Sequence, residues 1–128
     1  AERPKVRLVV IDSVAFHFRQ DFQDMALRTT ILSKMTNRLM SIATTQQVAV
    51  VTVNQVTVKP QRDGSARLVP ALGESYAHAC TTRVILSWEN DERVAFVTKS
   101  PRLPQARARY AVTAGGIRDV RGSKRAAP

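Results

Sequence analysis

Val6-Arg7-Leu8-Val9-Val10-Ile11-Asp12-Ser13 sets a carboxylate and a hydroxyl at the end of a short apolar run. The run is too short for a helix and rich in β-branched residues, so it reads as a buried parallel strand. A buried strand has no use for a charge at its tip unless something there needs it. In open α/β sheets the carboxyl ends of the strands are where ligands bind. An Asp in that place commonly holds Mg²⁺, or its water shell, beside a nucleotide phosphate. The competing reading of Asp12-Ser13 is a plain turn that ends the strand.

From about Asp24 to Thr44 the pattern becomes helical. Ile31, Met35, Leu39 and Ile42, with Leu32 and Ala43 beside them, recur at three- and four-residue steps, while Arg28, Lys34 and Arg38 lie off that stripe. Asp24 suits the N-cap. Val48 to Val53 is a second buried strand, ending in Asn54-Gln55, and strand, helix, strand in this order make a right-handed crossover. The two polar strand ends then lie close together at one sheet edge. Gln55 carries both a donor and an acceptor, enough to touch a phosphate or an attacking water and also a backbone group. The competing reading of Gln55 is an amide capping a turn.

Between the first strand and the helix, residues 13 to 22 read as a loop with Phe16, Phe18 and Phe22 around Arg19, aromatics that either stack on bases or anchor the helix entry to the core, with anchoring favoured for Phe16 and Phe18. Residues 56 to 72 show no strong period and read as a long loop with Lys59, Arg62 and Arg67, and Gly64 for flexibility. Ala71 to Cys80 holds a short helical turn carrying His78, read as a hydrogen-bonded structural residue. Three strand-like runs follow, Thr82 to Trp88, Arg93 to Lys99 and Arg107 to Thr113. The polar Glu89 to Glu92 joins the first two as an antiparallel hairpin. Ser100-Pro101-Arg102-Leu103-Pro104 is a stiff connection, Gly115-Gly116 a turn, and residues 118–128 a basic, disordered tail after a core spanning 1–117. The fold class is therefore α/β, with parallel central strands first and antiparallel strands extending one edge.

Charge narrows the partner. Twenty basic residues against ten acidic ones leave a net +10 in 128 residues, which favours a polyanion. The excess gathers at Lys59 to Arg67 and Arg102 to Arg125. No basic amphipathic helix favours a membrane surface, and no apolar stretch approaches the ~20 residues of a membrane span. The single Cys80 forms no internal disulfide, so nothing points to secretion. No Cys/His cluster has zinc spacing, and no Gly-x-Ser-x-Gly elbow supports a Ser-His-Asp triad. Cations on a flexible loop fit single-stranded nucleic acid, although that loop has no aromatic platform. The chain opens without Met and runs almost at once into a strand, which reads as a piece of a longer protein.

Four blocks in register carry a resemblance: Leu8 to Ser13; Ala49 to Val56; His78-Ala79-Cys80-Thr81-Thr82-Arg83; and Lys99 to Pro104. Together they resemble the RecA/RadA-type recombinases of eukaryotes. Ala15 to Asp21 and Pro70 to Tyr76 look most like the recombinase paralogue given the letter C. The resemblance runs from about Val6 to Asp119. It implies the C-terminal part of a RecA-like P-loop NTPase core, belonging to an ATP- and Mg²⁺-dependent, DNA-binding protein of homologous recombination and double-strand-break repair. By that analogy Asp12 is the Walker B carboxylate reaching Mg²⁺ through water, and Ser13 is its neighbour. Gln55 senses the γ-phosphate, His78 lies near the nucleotide, and Ser100-Pro101 resembles the cap over a neighbouring subunit's ATP. Residues 56 to 72 are the second DNA-binding loop, and the first lies near residues 19–24 with Arg19. The implied partners are single-stranded and branched DNA, other recombinase paralogues and the main recombinase. The implied location is the nucleus; the basic Lys124-Arg125 pair, read from the residues themselves, is a weak localisation candidate.

The chain also departs from that pattern. No Gly-x-x-x-x-Gly-Lys-[Ser/Thr] is present, nor is the upstream Glu that activates water, so tight ATP binding by this piece alone is not expected. Lys99 stands where filament-forming recombinases typically have Asp, and the first loop is short, which favours an accessory role. A rival reading is a non-catalytic interaction module that scaffolds a recombinase complex. A replicative-helicase or circadian-clock relative of the same fold is opposed by the blocks at His78 to Arg83 and Ser100 to Pro104.

Overall fold

Parallel pairing of the first two strands organises the N-terminal half. The computed structural model describes residues 5–19 and 24–120. Strand β1 (Leu8–Asp12) lies parallel to β2 (Ala49–Val53), with Leu8 opposite Ala49 and Asp12 opposite Val53. Between them run α1 (Val14–Arg19) and α2 (Met25–Gln46). The strands are not buried on both faces as their apolar runs predict. Val9, Ile11, Val50 and Thr52 are half-buried, whereas Leu8, Val10, Val51 and Val53 are exposed on the alternate face. Helix α2 packs against β2.

Helix α2 begins where expected. The Asp24 carboxylate accepts the backbone N–H groups of Ala26 (2.8 Å) and Leu27 (3.1 Å), two of the donors a helix start leaves unpaired. It ends at Gln47, which turns left-handed and donates its N–H to the Ala43 carbonyl. Its most buried row is Leu32 and Thr36, not the row through Ile31, which is 39% exposed. Arg28, Leu32 and Thr36 are four residues apart and share one face.

Two segments read as loops are regular structure. Residues 14–19 form α1, which buries Val14, Ala15 and Phe18 while leaving Phe16 exposed. Only Phe18 of those two therefore anchors to the core, and Phe22 lies outside the described residues. The second is the segment 56–72. It contains a hairpin of β3 (Val56–Pro60) and β4 (Ala66–Pro70), antiparallel and in full register. No apolar alternation marks it because every residue of β3 is exposed. Leu72 and Gly73, both at positive φ (72° and 83°), turn the chain from β4 into α3 (Gly73–Ala79), which packs against α2 and β4.

A second compact unit begins at Cys80. Strands β5 (Arg83–Glu89), β6 (Glu92–Lys99), β7 (Ala106–Thr113) and β8 (Gly116–Asp119) make an antiparallel sheet in that order. Asn90 and Asp91 both have positive φ (48° and 61°), as a tight type I′ hairpin turn requires. Arg118 and Asp119, read as the start of the tail, belong to β8. Residues 121–128, with Lys124-Arg125, lie outside the described residues. Period-two alternation gives the sheet two unlike faces. Val84, Leu86 and Trp88 of β5 lie on one face with Val112 and Ile117, all exposed. Glu89, Glu92, Arg107 and Arg109 occupy the other, paired as Arg107–Glu89 (2.7 Å) and Arg109–Glu92 (2.9 Å).

Candidate nucleic-acid interface

The polar ends of β1 and β2 meet at one edge, as parallel pairing demands. Asp12 is the last residue of β1 and stands opposite Val53, and Asn54-Gln55 follow directly. Asp12 and Gln55 are exposed. Ser13 begins the turn into α1, its carbonyl accepting the Phe16 N–H. Asp12 offers one hard oxygen donor. Among the described residues no three His, Cys, Asp or Glu side chains gather as a metal-binding group. A single carboxylate still suits Mg²⁺ that is otherwise held by water and phosphate oxygens.

Asn54, not singled out as a site residue from sequence, ties this edge to the hairpin. Its amide Nδ2 donates to the Ala71 carbonyl (2.7 Å), and its Oδ1 accepts the Gln55 N–H (2.8 Å). The Ala71 N–H in turn donates to the Gln55 carbonyl (2.7 Å). Both ends of the hairpin are thus fastened to the tip of β2. One helix turn on, Tyr76 is 5% exposed and its hydroxyl meets Thr52 Oγ1 at 2.8 Å, so β2 is held a second time from α3.

The hairpin is a cationic projection. Lys59 stands directly opposite Arg67 in the ladder, and Arg62 sits in the connecting turn, all three exposed. Like charges in directly opposed positions repel. The turn is built by local bonds. Gln61 N–H donates to the Ser65 carbonyl (2.8 Å), and Gly64 N–H donates to the Gln61 carbonyl (3.1 Å). Asp63 Oδ1 accepts both the Ser65 N–H (2.9 Å) and the Ser65 hydroxyl (2.6 Å). The hydroxyl, then the amide, hold the Asp63 carboxyl below the ordinary aspartate value. Gly64 serves the left-handed step of this turn (φ 81°), a defined role in place of the flexibility read from sequence.

Beside the hairpin's C-terminal root, a cleft of about 160 Å³ opens between α2 and α3. Arg28, Ser33, Glu74 and Ser75 line it over Leu32 and Tyr76. Arg28 Nε is buried without a hydrogen-bond partner. A buried guanidinium nitrogen without an acceptor is costly and asks for one. Sequence reading set Arg28 aside as off the apolar stripe. The signal that finds it is its place at the head of the Leu32–Thr36 row. Leu72, at the mouth of the cleft, is one of few non-glycine residues at positive φ, a strained conformation that clusters at ligand-binding positions.

The remaining candidates lie on other elements. His78 is exposed in the last turn of α3. Ser100 and Pro101 follow β6 in the second unit, where Ser100 Oγ accepts the N–H groups of Arg102 (3.2 Å) and Leu103 (3.1 Å) and so shapes a turn. Lys99 Nζ donates to the Cys80 carbonyl at 2.7 Å, bracing the start of the same unit. Arg19 is the last residue of α1, and residues 20–23 of the expected first DNA loop lie outside the described residues.

The model of the Rad51 family matches residues 2–120. The chain belongs to the Rad51 family. It is similar to DNA repair protein RAD51 homolog 3 of Cricetulus griseus, 42% identical over 116 residues that cover 91% of this chain and 31% of that protein. The protein of the same name from Dictyostelium discoideum is 44% identical over 117 residues, 90% of this chain and 30% of its own length. The human meiotic recombination protein DMC1/LIM15 homolog is 37% identical over 122 residues, 90% of this chain and 36% of that relative. These matches bear out the resemblance to RecA-type recombinases and to the paralogue lettered C. The α/β elements are those of part of a RecA-like core, and the Rad51-family chain spans about a third of the length of the curated relatives it matches.

Proposed function

We propose that this Rad51-family chain is the DNA-binding part of a subunit used in homologous recombination, holding single-stranded DNA on the β3–β4 hairpin. The observation that carries this reading is the opposed pair Lys59–Arg67, with Arg62 at the tip, on a projection exposed along its whole first strand. Two cations forced face to face are relieved by an anion between them. A phosphate backbone supplies a row of such anions, and mobile cationic segments that track it are how single strands are bound without sequence preference. Exposed Val56 and Val58 offer apolar contact to bases. Arg28, lining the cleft close to the hairpin's C-terminal root, adds a further cation on that side.

In the parent protein, the edge of Asp12, Ser13 and Gln55 faces ATP and Mg²⁺. A nucleotide bound there would act on the tip of β2, and Asn54 and Ala71 would pass a displacement of that tip to the hairpin. Lys99 in place of an acidic residue and the basic balance of the chain suit an accessory subunit acting with related recombinases in the nucleus. A second reading, a scaffold for partner proteins, draws on the exposed apolar face with Leu86 and Trp88, each 63% exposed.

Photo-crosslinking to a bromouracil-substituted oligonucleotide, mapped by mass spectrometry, separates the two. The DNA reading expects adducts within residues 56–70. Adducts absent from that segment while partner recombinases are still captured would leave the scaffold reading standing.

A further inference from the structure

The hairpin tip carries one feature that DNA binding does not use. Ser65 is exposed in a five-residue turn between β3 and β4, and Arg62 stands three residues before it. Lys59 lies further upstream and Arg67 two residues after. An arginine at the third position before a serine, on an accessible turn, is the charge pattern that basophilic serine kinases select. Among the described residues the other serines at turns are placed differently: Ser100 Oγ accepts two backbone N–H groups, and Ser13 lies at the root of α1.

We infer that Ser65 is a phosphorylation site, and that its modification releases single-stranded DNA from the hairpin. The second half of this inference rests on the DNA-binding reading above. In the transfer, Ser65 Oγ attacks the γ-phosphorus of ATP bound to the kinase. The new O–P bond forms as the bond to the β-phosphate oxygen breaks, ADP leaves, and the hydroxyl proton passes to the kinase's catalytic carboxylate.

Two physical consequences follow from the geometry. The first is charge. Lys59, Arg62 and Arg67 against Asp63 leave the hairpin two net positive charges. A phosphoserine adds about −1.5 to −2 at pH 7, which cancels them. The second is the turn itself. Ser65 Oγ now donates to Asp63 Oδ1 at 2.6 Å. Once esterified it has no proton to give, and the phosphate sits against a carboxylate, so attraction becomes repulsion at the turn. Both effects act in one direction, against a bound polyanion.

The test treats the chain with Mg²⁺-ATP and the catalytic subunit of cyclic-AMP-dependent protein kinase, followed by peptide mapping. Affinity for a fluorescein-labelled oligothymidine is read by anisotropy before and after. Phosphate is expected on Ser65, with binding weakened about 25-fold at ~0.1 M salt, the equivalent of about two lost phosphate contacts. Arg62→Ala is expected to abolish labelling with the hydroxyl intact. Ser65→Thr keeps an acceptor and Ser65→Ala loses it, so labelling of the first alone identifies the position. No phosphate on Ser65 while a control peptide is labelled overturns the inference. Full labelling with unchanged affinity overturns it too, and leaves the DNA reading intact. An unmodified chain that binds no oligonucleotide overturns the DNA reading and the switch together, a result distinct from the other two.

Discussion

Replacing Lys59, Arg62 and Arg67 together with Ala tests the hairpin as the electrostatic contact. The three side chains are exposed and unencumbered by any ion pair found among the described residues. Each is available to neutralise one phosphate. For single strands, log K falls with log salt by about 0.7 per phosphate neutralised, so three contacts carry a slope of about 2. Removing them is expected to flatten the slope by that amount and to weaken binding about a hundredfold at ~0.1 M salt, with the two curves converging towards ~1 M. The variant also removes the Lys59–Arg67 repulsion, worth roughly 0.2–1 kcal/mol against the hairpin. Lost affinity therefore does not trace to a weakened fold, and thermal unfolding should show the variant at least as stable as the parent. Anisotropy of a labelled oligonucleotide across a salt series is the assay. Parallel log–log lines for the two proteins would refute the reasoning, whatever the offset between them.

Further outcomes follow from the same geometry. Tyr76→Phe removes a buried hydroxyl bonded to Thr52 and is expected to cost about 1 kcal/mol, read as a lowered urea midpoint at unchanged slope. Asp24→Ala uncaps α2 and should cost about 1 kcal/mol by the same measurement, with helical signal lost from the first turn. Leu32→Ala opens a cavity in the best-buried row of α2 and should cost about 2–5 kcal/mol. For Asp63 the folded pKa is the lower one, so the turn's stability is complete above the unfolded value of about 3.9 and drains away as pH falls through the folded value. NMR of the Ser65 amide should titrate below that value, and Ser65→Ala should move the midpoint up.

Where a segment advertises its burial, its structure is readable from composition alone. The runs ending at Asp12 and Val53 are apolar and β-branched, and both are strands in the expected parallel order. Asp24 ahead of a periodic stretch is an N-cap, and the polar Glu89 to Glu92 is a hairpin turn. The β3–β4 hairpin fails this test for a physical reason. Val56-Thr57-Val58-Lys59-Pro60 has no buried face to impose alternation, and Pro60 and Pro70 read as breakers although they sit at the ends of the ladder. Helix α1 was hidden by its aromatics. Val14 and Phe18 share the four-residue spacing of a buried row, while Phe16 between them is 73% exposed and disguises it. Arg28 was missed because a cation on a helix is ordinarily a solvated side chain, and only the packing of α3 against α2 buries its Nε.

The proposed coupling between the two candidate sites runs through Asn54. Gln55 is exposed, and its backbone carbonyl accepts the Ala71 N–H. Asn54 is half-buried and spends one amide on two bonds, one back to Gln55 and one across to Ala71. Ala71 is 8% exposed and closes the circuit through its own N–H to the Gln55 carbonyl. Two hydrogen bonds thus join Asn54 and Gln55, just before β3, to Ala71, the first residue after β4, and a third ties Asn54 to Gln55. A hairpin hung from a single strand end would swing freely and transmit nothing. One pinned at both roots must move as a body when the tip of β2 moves, and that tip stands in register beside the Asp12 carboxylate. An amide suits the task because it donates and accepts at once, where a carboxylate would leave the Ala71 carbonyl unmatched.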